Sequence, residues 1–119
     1  MIDKRQIGRN YEQVAVEYLK AKGYRILTCN FQSRNGEIDI VAEDGDVLCF
    51  IEVKYRSSRS YGTPFEAITP GKQRSLCRSA RYYMLRYQIP ETRACRFDCV
   101  GITGSSVELI RNAFEFAWA

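Results

Sequence analysis

Hydrophobic and polar residues alternate along this chain with two different periods, and the changes of period predict its helices. Apolar residues recur every three to four positions from about Ile7 to Lys22, which predicts an amphipathic helix ended by Gly23. The proline signal at Thr69-Pro70 predicts a second helix that runs to about Tyr87. The apolar side of the first helix is predicted to hold Ile7, Tyr11, Val14, Ala15, Tyr18 and Leu19.

Five runs of aliphatic and aromatic residues predict strands. YRILTCNF, EIDIVA and VLCFIEVKY follow the first helix, and the last two are predicted to form a hairpin across Asp44-Gly45. CRFDCVGIT and VELIRNAFEF flank a predicted turn at Gly104-Ser105-Ser106, and SSRSYGTP (57–64) is a predicted loop. The order α-β-β-β-α-β-β predicts a single α/β domain over residues 1–119, with a mixed central β-sheet flanked by helices.

Composition narrows the class of protein. With 119 residues and 45% hydrophobic residues, the chain can bury one core. Its start lacks the apolar segment of a signal peptide and no apolar run reaches membrane length, so we expect a cytoplasmic protein without a membrane partner. The five cysteines contain no CxxC pair, which favours reduced thiols within the fold. The absence of histidine excludes the common histidine-dependent hydrolases and zinc sites.

The stretch GEIDIVAEDGDVLCFIEVKYR (36–56) puts charged residues inside the most hydrophobic part of the chain. Because side chains alternate across a strand, Asp39 shares a face with Glu37, and Glu52 shares a face with Phe50 and Lys54. With the predicted two-residue loop, Asp39 lies opposite Phe50 and Glu52 lies opposite Glu37. Asp39 and Glu52 are then diagonal neighbours whose carboxylates can meet. The other side of the hairpin is predicted to be its core face: Ile38, Ile40, Ala42, Cys49, Ile51 and Val53.

Two carboxylates held this close predict a cation site. They repel each other unless one is protonated or a cation lies between them. Oxygen ligands without histidine favour Mg²⁺ or Mn²⁺, and Lys54 on the same face could hold or deprotonate the water that attacks a phosphorus atom. The same spacing is equally compatible with a half-exposed hairpin whose charged residues face solvent.

Further polar residues on the two helices could complete such a site. Glu12 lies beside the apolar arc of the first helix, where it could complete or orient a metal shell; it could equally be a boundary residue. Lys72 and Gln73 lie in the first turn of the second helix, where backbone N–H groups also favour phosphate. These positions predict a phosphate site at the start of that helix.

Positive charge is concentrated in the middle of the chain. The net charge is +4, but residues 55–96 alone contain nine Lys/Arg and two Asp/Glu. Arg56 and Arg59 follow the acidic hairpin directly and are the better candidates for phosphate contacts. A stripe on the second helix is more typical of a solvated face or a partner surface: Arg74, Arg78 and Arg81.

The order of these motifs resembles a known family. GRNYEQVAVEYLKAKGYRIL, GEIDIVAEDGDVLCFIEVKYR, GKQRSL and RFDCV together are similar to the YraN-type family of small bacterial proteins, which resembles the PD-(D/E)xK nuclease superfamily and its archaeal Holliday-junction resolvases. The resemblance implies a restriction-endonuclease-like core. It places Glu12 at the helical acidic position and Lys72 or Gln73 at the later polar position, while Ile38 stands where the superfamily has proline. It places three residues at the signature positions: Asp39, Glu52 and Lys54.

The sequence therefore predicts a metal-dependent endonuclease that acts on DNA, with branched or single-stranded DNA favoured by the resemblance. Asp39, Glu52 and the Val53 carbonyl would hold Mg²⁺ or Mn²⁺, and Glu12 would support the site. A homodimer would supply the two sites that junction cutting needs. Two alternatives stay open: a nucleic-acid-binding module that keeps the fold without turnover, and a structural protein that uses the arginine-striped helix as an interface. A two-carboxylate glycosidase is disfavoured because the domain leaves little room for a sugar groove.

Overall fold

Two helices and five strands follow one another in the predicted order, α-β-β-β-α-β-β. The computed structural model describes residues 4–56 and 68–116, and the predicted loop at 57–64 lies outside them. Every predicted boundary lies within three residues of the observed one. The elements are α1 (Lys4–Ala21), β1 (Arg25–Ser33), β2 (Gly36–Asp44), β3 (Val47–Arg56), α2 (Pro70–Arg86), β4 (Cys95–Thr103) and β5 (Ser106–Phe114).

The five strands form one mixed sheet in the order β1-β2-β3-β4-β5. Strands β3 and β4 are parallel, because α2 carries the chain from the end of one to the start of the other, and all other neighbours are antiparallel. The two helices cover opposite faces. Leu48 and Phe50 pack with α2 in one apolar cluster, while Cys49 and Ile51 pack with α1 in the other. The predicted mixed sheet flanked by helices is confirmed.

Helix α1 buries a face that differs from the predicted one. Val14 was expected in the apolar arc, but 44% of it is exposed, whereas Val16 is buried together with Ala15 and Leu19. With 3.6 residues per turn, the side that holds these buried residues also holds Glu12, while Val14 lies well off that side. Glu12 therefore points along the buried face, rather than standing beside it. The side chain of Ile7, also predicted on the arc, lies outside the described part.

The β2–β3 hairpin turns one residue later than predicted. Asp44 pairs with Val47, so the loop residues are Gly45 and Asp46. Gly45 has a φ of +59°, a backbone conformation that glycine tolerates and that suits the first position of a two-residue hairpin loop. The register shifts by two residues, which keeps the faces but changes the partners. Phe50 lies opposite Val41, and the predicted pairing of Phe50 with Asp39 is wrong.

Helix α2 begins where the proline signal placed it. The Thr69 hydroxyl accepts a hydrogen bond from the Lys72 N–H at 3.2 Å, and Pro70 occupies the first helical position. A hydrogen bond of 2.9 Å between the Ser79 and Ser33 hydroxyls fixes the middle of α2 to the end of β1. The middle of α2 is thereby held against the sheet.

The cysteines are unpaired, as predicted. All five are free and lie in strands or in α2; Cys29 is exposed, Cys95 is half-buried and three are buried. Burial raises the pKa of the Cys49 and Cys99 thiols to about 12. No helix in the described residues is both long and apolar enough to span a membrane.

Candidate functional site

The pairing of β2 with β3 stops at the acidic part of the hairpin. The ladder runs from the Asp44–Val47 pair to the Ile40–Ile51 pair. Beyond it, the Val53 N–H donates a hydrogen bond of 2.8 Å to the Asp39 carboxylate. Strand β3 continues to pair with β4 as far as Arg56. A side-chain oxygen has thus taken the acceptor role of a backbone carbonyl at the point where the two antiparallel strands separate.

Next to this point, the regular alternation of side chains between the two faces of β2 is interrupted. Ile38 was predicted on the same core face as Ile40, but Ile38 packs in the α2 cluster and Ile40 packs in the α1 cluster. Asn30 lies opposite Asp39 in the β1–β2 register and has a φ of +57°, in the left-handed region that asparagine tolerates better than most residues. The change of backbone conformation across this pair explains why the prediction for Ile38 is wrong.

Three carboxylates from two elements converge here. Glu12 of α1, Glu37 and Asp39 each offer an oxygen, and these oxygens lie within 4.8 Å of one another. When its amide nitrogen rather than its oxygen faces the acids, the Asn30 side chain donates to Glu12 Oε1 at 2.7 Å and to Glu37 Oε1 at 2.5 Å. Strict alternation in the sequence placed Glu37 on the face of Asp39, but only the structure reveals the part played by Asn30.

The Asp39 carboxyl is held in an environment that disfavours its charge. Burial is the main cause and the negative charge of Glu52 is the next, and together they raise the pKa of Asp39 to about 7. The hydrogen bond from the Val53 N–H opposes this rise, while Glu12 and Glu37 add to it. Near neutral pH, Asp39 is therefore divided between its charged and neutral forms.

Glu52 is the most buried acid of the group, with 5% of the residue exposed. Its Oε1 lies 3.4 Å from the Lys54 Nζ and 3.8 Å from the Lys72 Nζ. Burial raises the pKa of Glu52, although both lysines act to lower it. Its Oε2 is buried and accepts no hydrogen bond from the residues that the structure describes. A buried carboxylate oxygen without a donor is unfavourable and calls for an explanation.

Other predicted site residues lie at different distances from these acids. The Lys72 side chain reaches Glu52, but the Gln73 side chain donates to the Ile68 carbonyl at 3.2 Å. Arg56 ends β3, beyond Lys54, and Arg59 lies outside the described residues. Val53 contributes its N–H, and the role of its carbonyl stays a prediction.

Tyrosines close the side of the site next to α1. Tyr11, which precedes Glu12, stacks on Tyr55, which follows Lys54, with ring centroids 3.8 Å apart and planes 16° from parallel. Both rings are partly buried against the α1 cluster. The stack therefore holds the first helix against the end of β3 and fixes Glu12 relative to the acids of β2.

The fold and the site define a small α/β protein whose five-stranded mixed sheet presents a cluster of partly buried acids beside two lysines. The chain belongs to the uncharacterised protein family UPF0102, whose family model matches residues 11–102. This confirms the resemblance to the YraN-type family of small bacterial proteins.

Relatives match this chain over most of its length. It is 45% identical over 114 residues to a UPF0102 protein of Lachnoclostridium phytofermentans, covering 96% of this chain and 97% of the relative. It is 48% identical over 116 residues to one of Symbiobacterium thermophilum, covering 93% and 98%. A relative from Chlorobium phaeobacteroides is 52% identical over 96 residues, covering 81% and 75%. Each bears only the family name.

Proposed function

We propose that this protein is a metal-dependent endonuclease that hydrolyses phosphodiester bonds in DNA on a restriction-endonuclease-like core. The observation that carries the proposal is the pair formed by the half-buried Asp39 and the buried Glu52, whose negative charge acts on Asp39. One oxygen of the pair has no donor within the described residues, and the pKa of Asp39 is raised to about 7. A bound cation would relieve both unfavourable features, because it interacts with the charged form of each acid.

The donor set fits Mg²⁺ or Mn²⁺. The acids offer only oxygen ligands, which such hard cations prefer. Asp39, Glu52 and the Val53 carbonyl would hold the ion, with Glu12 as a further ligand. When bound, such an ion polarises a phosphate and makes water a stronger nucleophile.

The residues of the chain would position the phosphate and move the proton. Lys54, whose Nζ lies 3.4 Å from Glu52 Oε1, would orient the attacking water and, in its neutral form, accept the proton of that water. Lys72 and the N-terminal turn of α2 would hold a phosphate oxygen, helped by Gln73, Arg56 and Arg59. Asn30 would keep the carboxylate of Glu12 turned toward the site.

The resemblance to archaeal Holliday-junction resolvases supports branched or single-stranded DNA as the substrate. A four-way junction is cut at two places, so we propose that a homodimer performs the reaction. The substrate panel for the purified protein is therefore duplex, single-stranded and four-way-junction DNA, each with chelator, Mg²⁺ or Mn²⁺.

We expect wild-type protein to cleave at least one of these DNA forms with metal and none with chelator. Asp39→Asn, Glu52→Gln and Lys54→Ala should each lose on the order of 10²-fold or more in rate. Glu17→Gln is the matched control, since Glu17 is an exposed acid on α1 that pairs with Gln13 and Lys20. Equal rates in wild type and all three site variants would assign the activity to a contaminant and reject the proposal.

A second candidate is a nucleic-acid-binding module without turnover. The two lysines beside Glu52 already offset part of its charge without a metal ion, which favours this alternative. It predicts DNA binding that is the same with chelator and with metal, and no cleavage under any condition. The assay above separates the two candidates.

A further inference from the structure

Helix α2 carries a concentrated positive charge that the proposed catalytic site does not use. Its sequence, PGKQRSLCRSARYYMLR, contains five basic residues and no acidic one. Lys72 faces Glu52, but Arg74 and Arg78 are exposed and form no ion pair within the described residues. Positions 74, 78 and 81 lie on one side of the helix, since residues four and three apart are neighbours. This side is defined here as the arginine face.

A shallow depression of about 230 Å³ lies along the arginine face. Two of its members are exposed apolar or aromatic side chains: 44% of Tyr82 and 78% of Leu85 are exposed. The Tyr82 ring is supported from below by Phe31, with centroids 5.9 Å apart. Arginine beside a supported, exposed aromatic ring suits the phosphates and the bases or sugars of a nucleic acid. The depression is lined by Asn35, Arg78, Arg81, Tyr82 and Leu85.

The arginine face approaches the acidic site at the β1–β2 turn. Asn35 belongs to the β1–β2 turn, two residues before Glu37 of the acidic group. At the start of α2, Lys72 lies 3.8 Å from Glu52, whereas Arg74, two residues later, lies on the other side of the helix. A strand bound at the acids could therefore leave the site along α2 without crossing a negative surface of this helix.

We propose that the arginine face of α2 is a second DNA-binding surface, which holds the phosphate backbone of the substrate outside the catalytic site. The choice of DNA as the ligand rests on the proposed function. Seven residues of helix separate Arg74 from Arg81, or about 10 Å. One strand of a duplex carries a phosphate about every 3.4 Å along its axis, so the face spans about three phosphates. Planar guanidinium groups bind phosphate oxygens in pairs, which favours this polyanion over a scattered acidic surface.

Measurements of DNA binding in the presence of chelator test the arginine face under conditions in which the DNA is not cleaved. Fluorescence anisotropy with labelled single-stranded and duplex DNA gives the dissociation constant at several salt concentrations. We compare Arg74→Gln/Arg78→Gln with Lys20→Gln/Lys22→Gln, which removes the same charge from exposed positions on and after α1. For duplex DNA the slope of log affinity against log salt should become shallower by about 1.8 in the arginine variant. The lysine variant should keep the wild-type slope.

Two results would overturn the proposal that the arginine face binds DNA. Equal changes in the arginine and lysine variants would attribute binding to net charge, and an unchanged slope in the arginine variant would place the DNA elsewhere. Competition by polyglutamate as effective as that by DNA of equal charge would indicate an acidic protein partner and overturn the choice of DNA.

Cleavage assays on the same proteins separate this inference from the proposed function. Metal-dependent cleavage together with an unchanged salt slope would reject the arginine face alone. Loss of binding in the arginine variant, without cleavage by wild type, would support the arginine face and reject the endonuclease.

Discussion

Buried acids occur in two regions of this protein, and their surroundings are opposite. On β4, the fully buried Asp98 accepts hydrogen bonds from the Tyr24 hydroxyl at 2.7 Å, from Arg96 Nε at 2.9 Å and from the Asn112 N–H at 2.9 Å. Near the start of β2, Asp39 accepts one such bond, and the neighbouring Glu52 has an oxygen with no donor in the described part of the chain. We call the first the closed network and the second the open cluster.

The two regions also differ in their balance of charge. In the closed network, Arg96 pairs with both Asp98 and Asp44, and Arg111 lies 3.5 Å from Asp44, so acids and bases match. Burial and the hydrogen bond to Asp98 raise the pKa of Tyr24 to about 12, which keeps its hydroxyl protonated as a donor. In the open cluster, Lys54 and Lys72 both lie against Glu52, while Glu37 and Asp39 lie next to another acid, Glu12. A buried acid with matched partners therefore indicates a structural role, whereas a buried carboxylate oxygen such as Glu52 Oε2, which has no donor among the described residues, indicates a ligand site.

The largest expected difference between the regions is the effect of the same Asp→Asn change on stability. Asp98→Asn removes the charge that balances a partly buried arginine, so we expect the free energy of unfolding to fall by about 3 kcal/mol. This corresponds to a melting temperature lower by roughly 10 °C. Urea unfolding followed by circular dichroism measures the change, with Asp46→Asn in the hairpin loop as the control. A loss below about 1 kcal/mol would contradict the structural role of the closed network.

Asp39→Asn should act in the opposite direction in the metal-free protein. Asparagine keeps an oxygen to accept the Val53 N–H but removes the repulsion with Glu52. Repulsion between two partly buried carboxylates is on the order of 1–3 kcal/mol at an intermediate dielectric. We therefore expect the variant to melt a few degrees above wild type in chelator at pH 8. A variant less stable than wild type would mean that Asp39 is needed for the fold.

The effect of Asp39→Asn should depend on pH. The pKa of Asp39 is about 7 in the folded protein against an ordinary value of 3.8. Between these values the folded state holds a proton that the unfolded state has released, so the contribution of Asp39 to stability is lost as pH rises from about 4 to about 7. The advantage of the variant should thus be near zero at pH 4 and largest above pH 7. Melting curves across this range provide the measurement, and a constant difference would contradict the raised pKa.

Much of the fold could be predicted from the sequence because its signals are local. The proline after Thr69, the alternation in β3 and the helical period of α1 each act within a few residues, and their elements are confirmed. The predicted loop residues of the hairpin were wrong, because the left-handed backbone conformation of Gly45 selects Gly45-Asp46 as the loop. Asp39 and Glu52 were nevertheless predicted to be neighbours, and the charge of Glu52 does act on Asp39 and raise its pKa.

The rest of the site depends on contacts between distant residues. Asn30 reaches Glu12 and Glu37 only because its left-handed backbone coincides with a change of side-chain phase in β1 and β2. The closed network was also missed, since Tyr24 and Asp98 are 74 positions apart and meet through the packing of the sheet. No periodic pattern in the sequence predicts a contact between residues so far apart.

A smaller change tests whether the closed network depends on each of its members. Tyr24→Phe removes a donor to Asp98 and an acceptor for Arg96, but leaves the other partners of Asp98 in place. Hydrogen bonds to charged groups contribute about 1.5 kcal/mol or more, so we expect a loss near that value, about half the effect of Asp98→Asn. Urea unfolding of both single variants and the double variant measures the coupling. Fully additive losses would show that Tyr24 and Asp98 act independently.

The smallest expected effect, and the one that separates the regions most directly, is the response to metal. Mg²⁺ or Mn²⁺ at ten times its dissociation constant should stabilise wild type by about 1.4 kcal/mol, because only the folded state brings the acids of the open cluster together. Asp39→Asn should respond little, since it loses a charged ligand, whereas Tyr24→Phe should respond like wild type despite its lower stability. Thermal melts with chelator and with increasing metal provide the comparison, and NaCl at matched ionic strength controls for general effects of salt on the surface. If the melting temperatures of wild type and Asp39→Asn rise in parallel with every metal, the ion binds elsewhere, and the open cluster is not the metal site.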